Sequence, residues 1–131
     1  MFKNTTRILI LDDMSTMRKI VMKTLKDLGF VDIQEAADGN QGWAILDKSE
    51  PPIELVISDW NMPNCTGLEL LKKVRSDARY AKIPFILLTA EAEASQVLDA
   101  VKSGVSNYIV KPFTVNGVKE KLEQTHKKLA G

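Results

Sequence analysis

The chain has 131 residues, 44% hydrophobic and 27% charged, which suits one domain burying about two thirds of its unfolded surface and leaves no room for a second. Its 18 Lys and Arg balance 17 Asp and Glu to a formal net charge of +1, so the strongly basic surface of a nucleic-acid or anionic-membrane binder is excluded. The single cysteine, Cys65, excludes an intramolecular disulfide and a thiolate metal cage. No apolar run approaches the ~20 residues that span a bilayer, and Met1 to Thr6 lacks the apolar core of a secretory signal. The expected location is cytoplasmic, without membrane insertion.

In chain order, short apolar runs of strand length occur at Ile8 to Leu11, Ile33 to Ala36, Leu55 to Ser58, Phe85 to Thr89 and Tyr108 to Val110. After the first, Met17, Ile20, Val21, Thr24, Leu25 and Leu28 fall on one face at 3.6 residues per turn, and Gly29 stops that helix. Asp38-Gly39 precedes a weaker stripe through Gly42, Ile45 and Leu46. The turn from Pro63 to Gly67 precedes Leu68, Leu71 and Val74. Val97, Leu98 and Val101 mark a fourth helix ending near Gly104, and Thr114 caps a fifth that carries Val115, Val118, Leu122 and Leu129. Strands alternating with helices, and strands that read as continuous apolar runs, predict an α/β fold. It is a doubly wound parallel sheet of (βα)5 order with right-handed crossovers.

In such sheets ligands bind beyond the carboxyl ends of the strands, where strand order reverses. Those ends carry Asp12 and Asp13 after the first strand, Asp59 after the third, Thr89 at the fourth and Lys111-Pro112 after the fifth. Three carboxylates facing one lysine leave about two uncompensated negative charges, a deficit that a divalent cation offsets. Oxygen donors without neighbouring His or Cys favour magnesium, with manganese as a substitute, over zinc. Asp59, ending the central strand, is the expected nucleophile for an aspartyl phosphate. Asp12 and Asp13 hold the ion, Thr89 offers a hydroxyl and Lys111 a compact positive charge.

Taken singly, each position has a plainer reading. Asp-Asp-Ser is a common helix start, Asp59 could begin the loop made by Asn61, Pro63, Asn64 and Gly67, and Lys111 could be a surface lysine. The joint placement of all five at strand carboxyl ends is what favours chemistry. Elsewhere the expectations are structural. His126 is solvated on a polar helix, Cys65 is a small loop residue and the methionines fill core gaps. Lys119, Lys121, Lys127 and Lys128 with Glu120 and Glu123 make a solvated helical face. Trp60 is a core anchor or a wall of the site.

Six segments carry a family resemblance. They are Leu11-Asp12-Asp13, Ser15-Thr16-Met17-Arg18, Ser58 to Asn64, Gly67 to Leu71, Thr89-Ala90-Glu91-Ala92 and Tyr108 to Phe113. Through them nearly the whole chain resembles the receiver domains of two-component response regulators, most closely the free-standing chemotaxis regulators. The resemblance implies a flavodoxin-like sheet of order 2-1-3-4-5 over a single receiver domain, residues 1–131. It implies phosphorylation of Asp59 from a phosphohistidine on a sensor histidine kinase. It further implies magnesium ligation by Asp13, Asp59 and the Asn61 backbone carbonyl, with Asp12 acting through a metal-bound water. Lys111 would contact the phosphoryl group, the Lys111–Pro112 bond would be cis, Thr89 and Tyr108 would form the switch, and Asn61 and Glu91 would tune phosphoryl lifetime.

The implied partners are a chemotaxis-type sensor kinase, a flagellar motor-switch protein and a phosphatase, met by a monomer. The docking face would include Ala92, Val97, Val101, Tyr108, Val110 and Lys121. The protein would be a signalling switch that catalyses only its own phosphorylation and dephosphorylation. The sequence departs from the family at Cys65-Thr66, where methionine and an acidic or small residue are usual. It departs again at Glu93-Ala94, where the enteric chemotaxis regulator has two lysines. A free-standing phosphorelay intermediate is the alternative within signalling. A magnesium-dependent phosphohydrolase is the alternative from another class, and it would need an acid two residues beyond Asp59, where Asn61 stands. A flavodoxin-like electron carrier fits poorly, because the acidic crevice would repel a flavin phosphate.

Overall fold

The structure, a computed structural model, describes residues 1–90 and 94–130. The described elements run β1 (Arg7–Leu11), α1 (Ser15–Asp27), β2 (Asp32–Ala36), α2 (Gly39–Lys48), β3 (Leu55–Asp59), α3 (Gly67–Ser76), β4 (Phe85–Thr89), α4 (Ala94–Lys102), β5 (Asn107–Val110) and α5 (Val115–Ala130). The strands pair in parallel in the order β2-β1-β3-β4-β5. All five expected strands are present, and four of them extend one residue past an apolar run, through Arg7, Asp32, Asp59 and Asn107. Those additions are polar, which is why hydrophobicity alone misses them.

The pleat sends alternate residues to opposite faces, so each buried strand feeds two cores. Ile8, Ile10, Leu55, Ile57, Ile86 and Leu88 meet Val21 and Leu25 of α1 and Val118 and Leu122 of α5. Leu9, Leu11, Val56, Phe85 and Leu87 meet Leu46 of α2, Leu70, Leu71 and Val74 of α3 and Ala100 of α4. This two-sided burial of β1, β3 and β4 leaves their charged groups at the strand ends.

The helices end as their residues dictate. Gly29, at φ +101°, closes α1 with its N–H on the Lys26 carbonyl and the Phe30 N–H on Leu25, and Gly104, at φ +91°, closes α4 with the same two bonds. Positive φ in a turn of this kind is the setting glycine tolerates best. Thr114 caps α5 through a 2.9 Å bond from the Gly117 N–H, and Asp38 caps α2 from the Gln41 N–H at 2.9 Å.

Several packing expectations are corrected. Ile20 is 46% exposed, and Met22, two positions on, packs against the core instead. The buried face of α1 otherwise follows the expected stripe: Val21, Thr24 and Leu25 are buried, and Met17 and Leu28 pack against the same core, with Ile20 alone turned outward. Val115 and Leu129, expected within the α5 stripe, are exposed, since the ends of a 16-residue helix overhang the sheet. Met1 and Met14 are exposed rather than gap-filling. His126 is not simply solvated: its ring stands edge-on to Phe2, with centroids 5.1 Å apart, and Nδ1 lies 3.1 Å from the terminal amine. Lys121 leaves the solvated face to lie over the Tyr108 ring, with Nζ 4.9 Å from the centroid. The Lys111–Pro112 bond is cis, as is Glu50–Pro51, which was not anticipated.

Candidate functional site

The chain leaves β1 toward β2 on one side and β3 on the other, so strand order reverses between β1 and β3, the place where such sheets bind ligands. Receiver domains are themselves a standing example of that rule. Register then decides which side chains meet. Leu11 pairs with Ser58, so the next residues along each strand, Asp12 and Asp59, lie side by side at one strand spacing. Thr89 pairs with Val110, which places Lys111 one step beyond the end of β4. Residues far apart in sequence thus converge because every strand runs in the same direction.

Carboxylate oxygens of Asp12, Asp13 and Asp59 lie within 4.8 Å of one another. Asp12 is 2% exposed and Asp59 9%, while Asp13 is open to solvent. Lys111 Nζ donates to Asp59 Oδ1 at 3.1 Å and reaches Asp12 Oδ2 at 3.4 Å. Two largely buried carboxylates therefore share one ammonium, with a third carboxylate at the rim. Burial pushes the Asp59 carboxyl above its ordinary value. The Lys111 hydrogen bond and charge oppose that shift, while the Asp12 charge and the Trp60 N–H add smaller effects of opposite sign. An all-oxygen cluster with excess negative charge suits a hard divalent cation such as magnesium. Asp12, Asp13 and Asp59 could hold it.

The loop after β3 frames the crevice. The Trp60 N–H donates to Asp59 Oδ1 at 2.9 Å, and its ring packs on the core face shared by α2 and α3, which makes it an anchor beside the site. Asp13, Asn61, Met62, Pro63 and Thr66 line an open cleft of about 380 Å³ next to the acidic group. Asn61 is exposed there and Met62 is buried beneath it. Asn64, at φ 68°, donates through Nδ2 to Asp38 Oδ2 at 3.2 Å, tying this loop to the start of α2. The Gln41 N–H, the leading cause, and Asn64 hold the Asp38 carboxyl below its ordinary value against the opposing effect of burial.

The departures at Cys65 and Thr66 have local explanations. Thr66 caps α3 in a reciprocal box, its hydroxyl accepting from the Glu69 N–H and its own N–H donating to Glu69 Oε1, both at 3.1 Å. Cys65 lies where a Cβ on Gly39 would approach its Sγ to 2.4 Å, so the small pair lets the loop sit against α2. Burial, with the Glu69 charge, pushes the Cys65 thiol up, away from reactivity.

Thr89 is buried at the end of β4. Val97, Tyr108 and Lys121 are half-buried, while Val101 and Val110 expose 58% and 40% of their surface on the side of α4 and the edge strand β5. Glu91, Ala92 and Glu93 lie outside the described residues. Sequence reasoning gave no role to Arg18, Asp38 or Asn64. The first carries a signal in retrospect, since α1 has no acidic residue in its first turn and places Arg18 just after it, where a cation opposes the helix dipole.

No helix among the described residues is long and apolar enough to cross a membrane. The family model described as response regulator receiver domain matches residues 8–123. The chain is 50% identical over 117 residues to the chemotaxis protein CheY1 of Helicobacter pylori, covering 89% of this chain and 94% of that one. It is 46% identical over 123 residues to CheY-3 of Vibrio cholerae, covering 94% and 93%. Among solved structures, Vibrio cholerae chemotaxis protein CheY4 superposes with a TM-score of 0.84 at 31% identity, covering 92% of this chain and 98% of that one.

Proposed function

This chain belongs to the response regulator receiver family, and we propose that it is a chemotaxis phosphoacceptor. In this reading it is one receiver domain over residues 1–131, phosphorylated on Asp59 by a histidine kinase and signalling to a flagellar motor-switch protein in the cytoplasm. The observation that carries the reading is Asp59 at the carboxyl end of the central strand. It lies 3.1 Å from Lys111 Nζ and within 4.8 Å of the Asp12 and Asp13 carboxylates. The chemotaxis assignment is supported by relatives of that name at about half identity.

Asp59 acts as nucleophile. Both donors that reach its carboxylate among the described residues, Trp60 N–H and Lys111 Nζ, arrive at Oδ1, so Oδ2 is the oxygen assigned to attack phosphorus. The new Oδ2–P bond forms as the bond from phosphorus to the donor breaks, and the leaving imidazole or acetate keeps that electron pair. Lys111 turns from the carboxylates to the developing charge on the phosphoryl oxygens, and the Thr89 hydroxyl donates to one of them. Magnesium, held by Asp12, Asp13, Asp59 and the Asn61 carbonyl, would supply the positive charge that lets anionic phosphate enter an acidic crevice. Asn61 and Glu91 set access of water to the product. Thr89 and Tyr108 couple the site to the face bearing Val97, Val101, Val110 and Lys121, where the motor-switch segment docks, and Ala92, which lies outside the described residues, is assigned to the same docking role.

The test is phosphoryl uptake from acetyl phosphate, followed by intact mass. One added phosphoryl group, lost on chelation of magnesium and absent in Asp59→Asn, is expected. Undiminished uptake by Asp59→Asn would sink the assignment.

A further inference from the structure

Asp12 is held at four atoms. Its N–H donates to the Ala36 carbonyl at 3.2 Å, its Oδ1 accepts from the Met14 N–H at 2.9 Å and its Oδ2 faces Lys111. The fourth tie is the backbone carbonyl, which accepts from Arg18 Nη1 at 2.7 Å. The same guanidinium donates through Nε to Glu35 Oε1 on β2 at 2.9 Å, and the Arg18 side chain is 18% exposed. The Asp12 carbonyl belongs to the planar peptide that joins Asp12 to Asp13. Fixing that plane fixes the direction in which Asp13 leaves the strand. This matters because no hydrogen bond to the Asp13 carboxylate occurs among the described residues, so its position is inherited from its backbone.

We propose that Arg18 is a positioning residue for the divalent cation: braced by Glu35, it locks the Asp12–Asp13 peptide plane and presets both carboxylates. The inference rests on the metal-assisted reading of the site and adds a residue to it. Charge alone predicts the opposite of positioning. A guanidinium beside an acidic cluster repels a dication, so its removal would tighten binding, whereas loss of a group that orients ligands weakens it.

Mn2+ alone is the probe, with free ion followed by electron paramagnetic resonance and cooperative folding checked by circular dichroism. Arg18→Met, which removes the charge and both bonds, is expected to bind roughly tenfold more weakly, the lower end of what such supporting contacts contribute. Arg18→Lys keeps the charge but not the two-pronged geometry, and is expected to lose about threefold. Unchanged or tighter binding by Arg18→Met overturns the inference. If that variant fails to melt cooperatively, Arg18→Lys decides, and wild-type affinity there overturns it. Absence of Mn2+ binding by the unsubstituted protein would overturn the metal reading, and the inference with it.

Discussion

Gly67, the first residue of α3, sits against the backbone of Asp59 so closely that a Cβ there would stand 2.2 Å from the Asp59 carbonyl oxygen, and its own N–H donates to the Trp60 carbonyl at 2.9 Å. The packing of α3 onto the sheet is thereby coupled to the placement of the candidate nucleophile. A methyl group cannot be absorbed by a flexible side chain, because its neighbour is backbone. Gly67→Ala should lower stability by about 2 kcal/mol in urea unfolding and slow phosphoryl uptake at Asp59 as the strand end shifts. Wild-type behaviour in both measurements would show that α3 moves without disturbing the site.

Asp59 also sets a pH dependence. Its carboxyl is raised in the folded protein, chiefly by burial, so the folded state holds the proton more tightly than the unfolded chain. The associated stability is present in acid and is lost as pH rises through the folded value. At neutral pH without metal the ionised group is a cost. Asp59→Asn should then be more stable than wild type by on the order of 1 kcal/mol. The advantage should shrink as pH falls into the carboxylate range. Thermal melts from neutral to acidic pH check this, and an advantage that grows toward acid would contradict it.

Magnesium should reverse that ranking. A ligand that binds only the folded state at a hundred times its dissociation constant adds about 2.7 kcal/mol, and Asp59→Asn lacks one carboxylate of the cluster. Adding magnesium should raise the melting temperature of wild type well above its chelated value and that of Asp59→Asn much less. Equal shifts would place the ion elsewhere.

The capping box at Thr66 predicts a graded series. Thr66→Ala removes the hydroxyl that accepts from the Glu69 N–H and should cost about 1 kcal/mol, whereas Thr66→Asp, an equally good cap, should be near neutral. Urea midpoints for the two variants decide. An equal loss in both would mean that the hydroxyl is not acting as a cap.

Thr89 and Tyr108 should separate chemistry from signalling. Thr89→Ala is expected to accept a phosphoryl group at Asp59 yet lose most of the phosphorylation-dependent gain in affinity for a motor-switch segment, because coupling requires a contact that differs between the two states. Titration of that segment with and without phosphoryl donor measures the gain. A full gain in Thr89→Ala would refute the switch.

If a motor-switch segment binds as proposed, the charges at positions 93 and 94 should choose the partner's charge. Glu93-Ala94 in place of two lysines changes the charge by about three units, each exposed pair being worth up to ~1 kcal/mol. Glu93→Lys with Ala94→Lys should therefore tighten binding of an acidic motor-switch peptide severalfold at low salt and less at moderate salt. No change at low salt would mean that these positions or their charges do not select the partner.

The sequence by itself determined the order of elements and the five positions at the strand ends. Strand alternation and buried apolar runs follow from periodicity, and chemistry-bearing residues stand out where a hydrophobic strand stops. It also determined the glycine stops at Gly29 and Gly104, because positive φ favours that residue. Tertiary structure alone decided which side of each helix is buried at its margins, exposing Ile20, Val115 and Leu129, since periodicity gives a stripe but not its width. It decided the register that sets Asp12 beside Asp59, which depends on pairing between distant strands. It also decided the ties Arg18–Asp12, Asn64–Asp38 and Lys121–Tyr108. Each of these reaches between elements along directions that no local pattern encodes, so only the assembled sheet and its flanking helices bring them together.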